Sequence, residues 1–356
     1  MSTDRSSELS TAASVRAHRE STRRKIAFLV GTTALLAVLW VVGVAVGSVT
    51  YPIREVVAAL TQRGPETQQL AIWHVRIPRV LAATVAGGGL GVAGAAMQSV
   101  LRNPLGAPFT LGISHAAAFG AAITIAVGTA GLEGSVLTVS VQTIGAFVGA
   151  MTATAAILLL VTYRDATPET LILTGVAIGS LFNAGLATIQ YFATDAQVAE
   201  IVYWTFGDVS RAAWDEIAVM IVVFVLGLAY FVYNGWNYDV LDAGTETALS
   251  LGVDVESLRI RGMIVASLLT AVMISFVGII GFVGLVAPHI VRMTIGGTER
   301  FLLPASALVG AALLVAADAF ARTIISPIVL PVGIVTSFLG APLFLYLTVK
   351  GKQHWS

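Results

Sequence analysis

The residue types that usually carry chemistry are sparse in this sequence and do not cluster. The chain of 356 residues has no cysteine, which excludes disulfides and cysteine metal sites. Its histidines are His18, His74, His115, His289 and His354. Because they are scattered and His289 has no second ligand at helical spacing, we predict no metal site and no cofactor. The phosphate loop GxxxxGKS/T is also missing, so we predict no catalytic residue and no ATP site within this chain.

The more informative residues are charged groups beside long apolar segments. Arg76 and Arg79 directly precede one such segment, and Arg322 lies near the end of another. Inside the segments, Asp318 and His289 are the candidate ionisable groups, both near segment ends. Proton- or sodium-driven carriers usually depend on ionisable groups within the bilayer, where they are expensive. Their scarcity favours a passive pathway that another protein opens and closes, with a gradient-driven carrier as the alternative.

The segments that position these groups are those of a membrane protein. Hydrophobic residues make up 56% of the sequence and charged residues 11%, against roughly 25% charged in ordinary soluble domains. About 20 apolar helical residues cross the hydrocarbon core of a bilayer. We therefore predict an all-α polytopic membrane protein with about ten transmembrane helices. The apolar spans cover residues 26–49, 80–101, 109–128, 136–161, 169–192, 214–234, 262–280, 281–295, 303–325 and 333–349, and the stretch 262–295 can also be divided differently.

The placement of positive charge predicts the topology. If the first helix runs outward, fourteen Lys and Arg residues lie on the cytoplasmic side and six on the other, as the positive-inside rule prefers. Ten spans then place both termini in the cytoplasm. Residues 1–25 predict a disordered basic tail, 26–350 the transmembrane domain and 351–356 a short C-terminal tail. The net charge of zero gives no indication of nucleic-acid binding.

The second span is unusually rich in glycine. Gly87 and Gly91 have the small-xxx-small spacing that lets transmembrane helices approach closely. We predict helix packing at these two positions, and a glycine-softened helix with no special partner is the alternative.

Several motifs, in order along the chain, resemble one protein family. They include Arg76-Ile-Pro-Arg79, Arg102-Asn-Pro-Leu-Gly-Ala-Pro108, Trp204-Thr-Phe-Gly-Asp208, Gly281-Phe-Val-Gly-Leu-Val-Ala-Pro-His289 and Leu339-Gly-Ala-Pro342. This pattern resembles the permease subunits of ABC importers for ferric siderophores, haem and cobalamin, the FecCD-like permeases. The resemblance covers nearly all of the chain after the first 25 residues. It implies the type II ABC importer permease architecture.

The resemblance also implies a role for the outer arginines. In the family, the matching arginines receive acidic residues of an extracytoplasmic substrate-binding protein, so Arg76, Arg79 and Arg322 are predicted to dock that protein. Charged pairs at such a rim mainly set orientation and association rate. Interfacial anchoring is the alternative, and Asp318, four residues before Arg322, could pair with it along the helix.

Two cytoplasmic sites follow from the resemblance. The polar loop 237–259 suits two short amphipathic helices hinged at Gly252, and the family places its coupling to the ATPase here; a plain connector is the alternative. The predicted coupling residues are Thr247, Ala248, Leu249, Leu251, Gly252 and Val253. The start of the fifth span resembles the family's inner gate, although a helix start with proline in its first turn explains these residues equally well. The predicted gate residues are Thr167, Pro168 and Thr170.

Taken together, the resemblance implies the permease of an ATP-driven importer in the cytoplasmic membrane of a prokaryote. Its partners would be two copies of an ATP-binding subunit, a substrate-binding protein and a second permease subunit, identical or related. A ferric siderophore is the favoured cargo, with cobalamin or haem as alternatives. A gradient-driven carrier and a membrane-embedded assembly subunit without transport are the hypotheses from other classes.

Overall fold

Every regular element of the described chain is a helix. The computed structural model describes residues 3–47, 49–127, 141–164 and 168–351. The α-helices in these ranges are α1 (Thr3–Ala45), α2 (Ile53–Leu60), α3 (Glu66–Leu70), α4 (Ile77–Val100), α5 (Ile113–Val127), α6 (Val141–Arg164), α7 (Pro168–Phe192), α8 (Asp195–Thr205), α9 (Trp214–Tyr233), α10 (Gly235–Asp242), α11 (Thr245–Ser250), α12 (Val255–Val277), α13 (Val283–Ile295), α14 (Glu299–Ala321) and α15 (Val332–Gly351). A π-helical turn, Ala71–Arg76, joins α3 to α4.

Within the described ranges, ten apolar helices follow the order of the predicted spans. Seven are long and apolar enough to cross a membrane, namely Arg19–Ala45, Glu66–Val100, Val141–Leu160, Thr170–Phe192, Trp214–Tyr233, Val255–Val277 and Glu299–Ala321. Three are shorter, namely Ile113–Val127, Val283–Ile295 and Val332–Tyr346. The prediction of an all-helical membrane protein with about ten membrane helices is therefore confirmed.

The N-terminal segment differs from its prediction. The sequence predicts a disordered tail over residues 1–25, but α1 begins at Thr3 and continues unbroken into the first span. Residues 3–25 contain no glycine and no proline. Because the apolar part of α1 already supplies the costly helix nucleus, extending the helix through this segment adds one hydrogen bond for each residue fixed.

The polar loop also differs in detail. The sequence places a hinge at Gly252 between two short helices, but the two short helices, α10 and α11, are separated at Gly244, whose φ is +132°. Gly252, with φ +80°, instead separates α11 from the long helix α12. Both positions have backbone angles that favour glycine, so composition alone did not distinguish them.

Helix α4 lies at the centre of the bundle and packs most closely on α14. The glycine-rich face of α4 meets the backbone of α14 directly: a Cβ atom on Gly87 would lie 2.4 Å from the Gly310 carbonyl oxygen, and one on Gly91 would lie 2.2 Å from the Ser306 carbonyl oxygen. The two backbones therefore approach as closely as the absence of side chains allows. We call these two helices the α4–α14 pair.

Helix α13 begins inside the bundle. Residues 278–282, between α12 and α13, form no helix, and Gly278 and Phe282 both have positive φ. A Cβ on Gly94 would lie 1.8 Å from the Gly284 carbonyl oxygen, so the first turn of α13 packs against the second half of α4. The span boundary that the sequence analysis placed at 280/281, while leaving 262–295 open to other divisions, thus falls in a non-helical stretch of backbone.

We expect Gly91→Ala to destabilise the protein because its Cβ would collide with the Ser306 carbonyl oxygen. Overpacking of this kind typically costs about 1–3 kcal/mol, which should lower the melting temperature of the purified protein in detergent. Gly31→Ala is the matched control, since a Cβ at Gly31 in α1 meets nothing within 4 Å. Equal melting temperatures for the two variants would contradict the tight contact in the α4–α14 pair.

Candidate functional site

Five charged side chains meet at the end of the bundle where α1 finishes and α4 begins. We call them the arginine cluster, and its members are Arg76, Arg79, Asp208, Asp318 and Arg322. The π-helical turn ends at Arg76, and Arg79 follows in the first turn of α4. Asp318 lies in the last turn of α14 and Arg322 directly follows that helix. Close packing in the α4–α14 pair therefore brings the two arginine-bearing segments together.

Asp318 is the centre of the cluster. Its Oδ1 accepts a hydrogen bond from Arg79 Nε at 2.8 Å, and its Oδ2 lies 3.0 Å from Arg322 Nε. The Asp318 side chain is 1% exposed. One carboxylate thus serves two guanidinium groups in a buried setting, where breaking an ion pair usually leaves an uncompensated charge.

Arg76 binds the backbone at the end of α1. Its Nη1 donates to the carbonyl oxygens of Val44 at 2.8 Å and Ala45 at 2.7 Å, and its Nη2 donates to the carbonyl oxygen of Val49. The guanidinium carbon also lies 4.2 Å from the centre of the Tyr51 ring, a favourable cation–π geometry. Arg76 therefore satisfies carbonyl groups that have no partner within the helix.

Arg322 completes the same cap from the other side. Its Nη1 donates to the Val46 carbonyl oxygen at 2.7 Å, and its Nη2 donates to the Gly43 carbonyl oxygen at 2.8 Å. A positive charge at the C-terminus of a helix is favoured by the helix dipole. Arg76 and Arg322 together hold the end of α1 against the α4–α14 pair.

The three arginines are more buried than an outer rim requires. Arg76 and Arg79 are each 8% exposed, and Arg322 is 5% exposed. The sequence also offered interfacial anchoring, in which the long side chains would extend towards water, but these side chains point into the protein. Among the described residues, Arg79 Nη2 has no hydrogen-bond partner and lies 3.4 Å from Asp208 Oδ1. This Arg79 nitrogen is itself buried, and the partly exposed Asp208 lies between it and solvent. Docking of a binding protein stays a prediction.

A second polar cluster, at the opposite end of the bundle, was missed from the sequence. Arg292 in α13 donates to Gln98 in α4 and lies 3.4 Å from the carboxylate of Glu299 in α14. Glu299 is 1% exposed and Gln98 is 2% exposed. One sequence signal for this cluster was available: Glu299 follows Gly296-Gly297-Thr298, and an acidic residue directly after such a turn is typical of the first turn of a helix.

The same end of the bundle holds the start of the first span. Arg24 donates to the Thr294 carbonyl oxygen at 2.7 Å, and Lys25 donates to the Thr298 hydroxyl at 2.7 Å. Lys25 Nζ also lies 5.3 Å from the centre of the Phe301 ring. These two basic residues, directly before the first apolar span, therefore fix α1 to the end of α13 and the turn between α13 and α14.

The predicted coupling residues lie together on α11 and the turn after it. Thr247, Ala248 and Leu249 belong to α11, and Leu251, Gly252 and Val253 form the turn that leads to α12. Leu249 is 59% exposed and Leu251 is 56% exposed, whereas Ala248 and Val253 are buried. We call residues 247–253 the coupling segment. In this segment, the buried Ala248 and Val253 anchor the backbone that carries the two exposed leucines. Coupling to an ATPase stays a prediction.

The predicted inner gate is described only in part. Thr167 lies outside the described residues, Pro168 begins α7, and Thr170 is exposed. The helix start at Pro168 agrees with the structural alternative, since proline fits the first turn of a helix. The gate assignment stays a prediction. Within the described ranges, no group of three or more His, Asp or Glu side chains is placed to hold a metal ion.

Comparison with known proteins identifies the family. The model of the FecCD transport family matches residues 35–350. The chain belongs to the FecCD transport family. Its arginine cluster and coupling segment both lie within the matched range, and its fold is that of an ABC importer permease.

Relatives are similar over most of the chain. A protein of Methanocaldococcus jannaschii described as an ABC transporter permease is 53% identical over 334 residues, covering 92% of this chain and 96% of the relative. The hemin transport permease HmuU of Yersinia pestis is 34% identical over 290 residues, 80% of this chain and 86% of its own. The cobalamin import permease BtuC of Halobacterium salinarum is 38% identical over 285 residues, 80% of this chain and 74% of its own.

A solved structure supports the fold directly. It is described as an inward-facing conformation of a metal-chelate type ABC transporter, and it is 29% identical to this FecCD protein. The similarity covers 90% of this chain and 98% of the other, with a TM-score of 0.80. The predicted ABC importer permease architecture is therefore confirmed.

We expect Asp318→Asn to destabilise the protein strongly, because it removes the carboxylate shared by Arg79 and Arg322. Breaking a buried ion pair on one side typically costs about 3–5 kcal/mol. Asp208→Asn is the matched control: its carboxylate is 28% exposed and lies 3.4 Å from Arg79, so the cost should be at most about 1 kcal/mol. Thermal unfolding in detergent compares the two, and equal losses would show that Asp318 is not the centre of the cluster.

Proposed function

We propose that this FecCD permease carries a ferric siderophore, or a closely related iron complex, across the cytoplasmic membrane of a prokaryote. It would do so as the membrane-spanning subunit of an ATP-driven importer. Membership of the family carries the proposal, because the family model spans nearly all of the helical bundle. The similar solved structure is described as a metal-chelate type transporter, which favours an iron complex over a cargo without metal chelation.

The energy for transport would come from a separate protein. The sequence has no phosphate loop, so ATP would be hydrolysed by two copies of an ATP-binding subunit that seat on the coupling segments. The exposed Leu249 and Leu251 side chains are suited to such a contact, since removing their apolar surface from water is favourable. Both termini would lie on this cytoplasmic side.

A second permease subunit would complete the pathway. Helix α7 has few buried residues in the isolated chain, and Leu173 and Leu181 are each 70% exposed. Helix α15 likewise exposes Phe338 and Leu345. Faces of this kind contact either lipid or another helix, and pairing of two permeases would enclose a path between them.

A substrate-binding protein would dock at the arginine cluster. Buried hydrogen bonds occupy Arg76 and Arg322, whereas Arg79 Nη2, also buried, has no hydrogen-bond partner among the described residues and lies beside the partly exposed Asp208. An acidic residue of the binding protein would have to displace Asp208 to reach this nitrogen. Arg76 and Arg322 would then act mainly by holding α1 and α14 in place around the docking point.

Uptake of radiolabelled iron tests the proposal. A strain lacking the gene should regain uptake from a panel of ferric siderophores when the gene is restored with its ATPase and binding protein. Orthovanadate should abolish this uptake in vesicles, because vanadate blocks ABC ATPases, and a protonophore should not. Labelled cobalamin and haem are offered in parallel.

The outcomes separate the alternatives. Uptake of cobalamin or haem alone would support the importer assignment and replace the ferric siderophore as the proposed cargo. Uptake that resists vanadate but is lost with a protonophore would favour a gradient-driven carrier. No uptake of any cargo, with all partners present, would favour an assembly subunit without transport.

We expect Asp208→Asn to strengthen docking of the binding protein, because Arg79 would lose its competing carboxylate at 3.4 Å. A surface charge contact of this kind is worth up to about 1 kcal/mol, or roughly a fivefold change in Kd. Association with the assembled permease, measured by surface plasmon resonance at low salt, gives Kd. Asp215→Asn, another acidic residue near this end of the bundle, is the control and should change Kd less. Weaker binding by Asp208→Asn would instead make Asp208 a docking residue.

A further inference from the structure

Helix α14 receives its N-terminal cap from another helix. Thr298, the residue before α14, makes no side-chain cap, and its hydroxyl instead accepts a hydrogen bond from Lys25. The carboxylate of Asp239 in α10 accepts hydrogen bonds from the backbone N–H groups of Glu299 and Arg300. An acidic group at this position satisfies otherwise unpaired N–H groups and complements the helix dipole.

The contact between α10 and α14 is close as well as charged. A Cβ on Gly235, the first residue of α10, would lie 3.2 Å from the Cα of Arg300. Partial burial raises the pKa of Asp239, and the two backbone hydrogen bonds oppose that shift. The carboxylate is therefore held at the junction of the two helices, where solvent screens its contact with α14 only in part.

Helix α10 is also tied to the coupling segment. Only Ala243 and Gly244 separate α10 from α11, and the Gly244 N–H donates to the Leu241 carbonyl oxygen at 3.1 Å. A displacement of α11 by a partner would therefore reach α10 through this short turn, and reach α14 through Asp239.

Helix α14 spans the distance to the arginine cluster. It runs unbroken from Glu299 to Ala321, and Asp318 stands in its last turn. Its backbone lies directly against Gly87 and Gly91 of α4, with no side chain between the two helices at these positions. Packed helices with backbone contact move together more readily than helices separated by flexible side chains.

We propose that the α4–α14 pair moves as one rigid body between the coupling segment and the arginine cluster, and that Asp239 is the positioning residue that joins this body to the coupling segment. The proposal rests on the proposed function.

A competing route could carry movement of the coupling segment into the bundle through α12, because Arg259 in α12 donates to the Thr245 hydroxyl of α11 at 3.2 Å.

Hydrogen–deuterium exchange of the complete permease–ATPase complex tests the proposal. Exchange is compared between the nucleotide-free complex and the complex trapped with Mg·ATP and orthovanadate. In the wild type, we expect trapping to change exchange both at residues 235–250 and at residues 322–331, the loop that follows α14. In Asp239→Ala, the change at 235–250 should remain and the change at 322–331 should be lost.

Three further variants sharpen the comparison. Asp239→Asn keeps an oxygen that can accept from the backbone, so it should retain most of the change at 322–331. Asp242→Ala removes an exposed carboxylate from the same helix and should behave as wild type. Thr245→Val removes the hydrogen bond to Arg259 and should also retain the change at 322–331.

Each other result overturns a stated part of the proposal. An unaltered change at 322–331 in Asp239→Ala would exclude Asp239 from the link, and its loss in Thr245→Val alone would assign the link to α12. Failure of Asp239→Ala to bind the ATPase would place the residue in the docking contact instead. If the wild-type chain binds no ATPase, the proposed function is wrong; if it does and Asp239→Ala behaves as wild type, only this inference is wrong.

Discussion

The contact on which this structure most depends is the backbone approach between α4 and α14. Where the glycines of α4 meet α14, no side chain separates the two helices, so their relative position is set by hard-sphere contact rather than by deformable packing. The rest of the bundle is built onto this pair. Helix α13 packs through Gly284 against Gly94. Helix α1 is fixed near its middle by Arg24, which binds the end of α13, and at its C-terminal end by Arg322, which binds the α1 backbone.

That fixed geometry explains how three arginines can be buried at one end of a membrane bundle. A buried guanidinium is costly unless its donors are satisfied. Here the acceptors come from two sources that the packing brings together: the carboxylate of Asp318 and the backbone carbonyl groups at the end of α1. The charges therefore stabilise a junction of three helices, and Asp208, 28% exposed, is the most exposed member of the cluster.

Much of the fold could be predicted from the sequence because the bilayer imposes length and polarity on each span. The ten apolar segments, the break near Gly281 and the close contact of Gly87 and Gly91 are local signals of this kind. The site was less predictable. Whether Arg76 faces water or the end of α1, and whether Asp239 caps a helix 60 residues later, depends on which segments meet in space. Neither composition nor spacing carries that information, and the helical start of α1 was likewise decided by its continuity with the span.

The arginine cap on α1 has a consequence for which substitutions the chain can tolerate. Arg76 and Arg322 donate to the carbonyl oxygens of Gly43, Val44, Ala45, Val46 and Val49, not to their side chains. Every amino acid offers the same carbonyl group, so the identity of most side chains in this stretch does not enter the contact. Sequence drift at the end of α1 can thus proceed without loss of the junction, as long as the path of the main chain is kept. Selection at this junction should therefore act mainly on Arg76 and Arg322, the two hydrogen-bond donors.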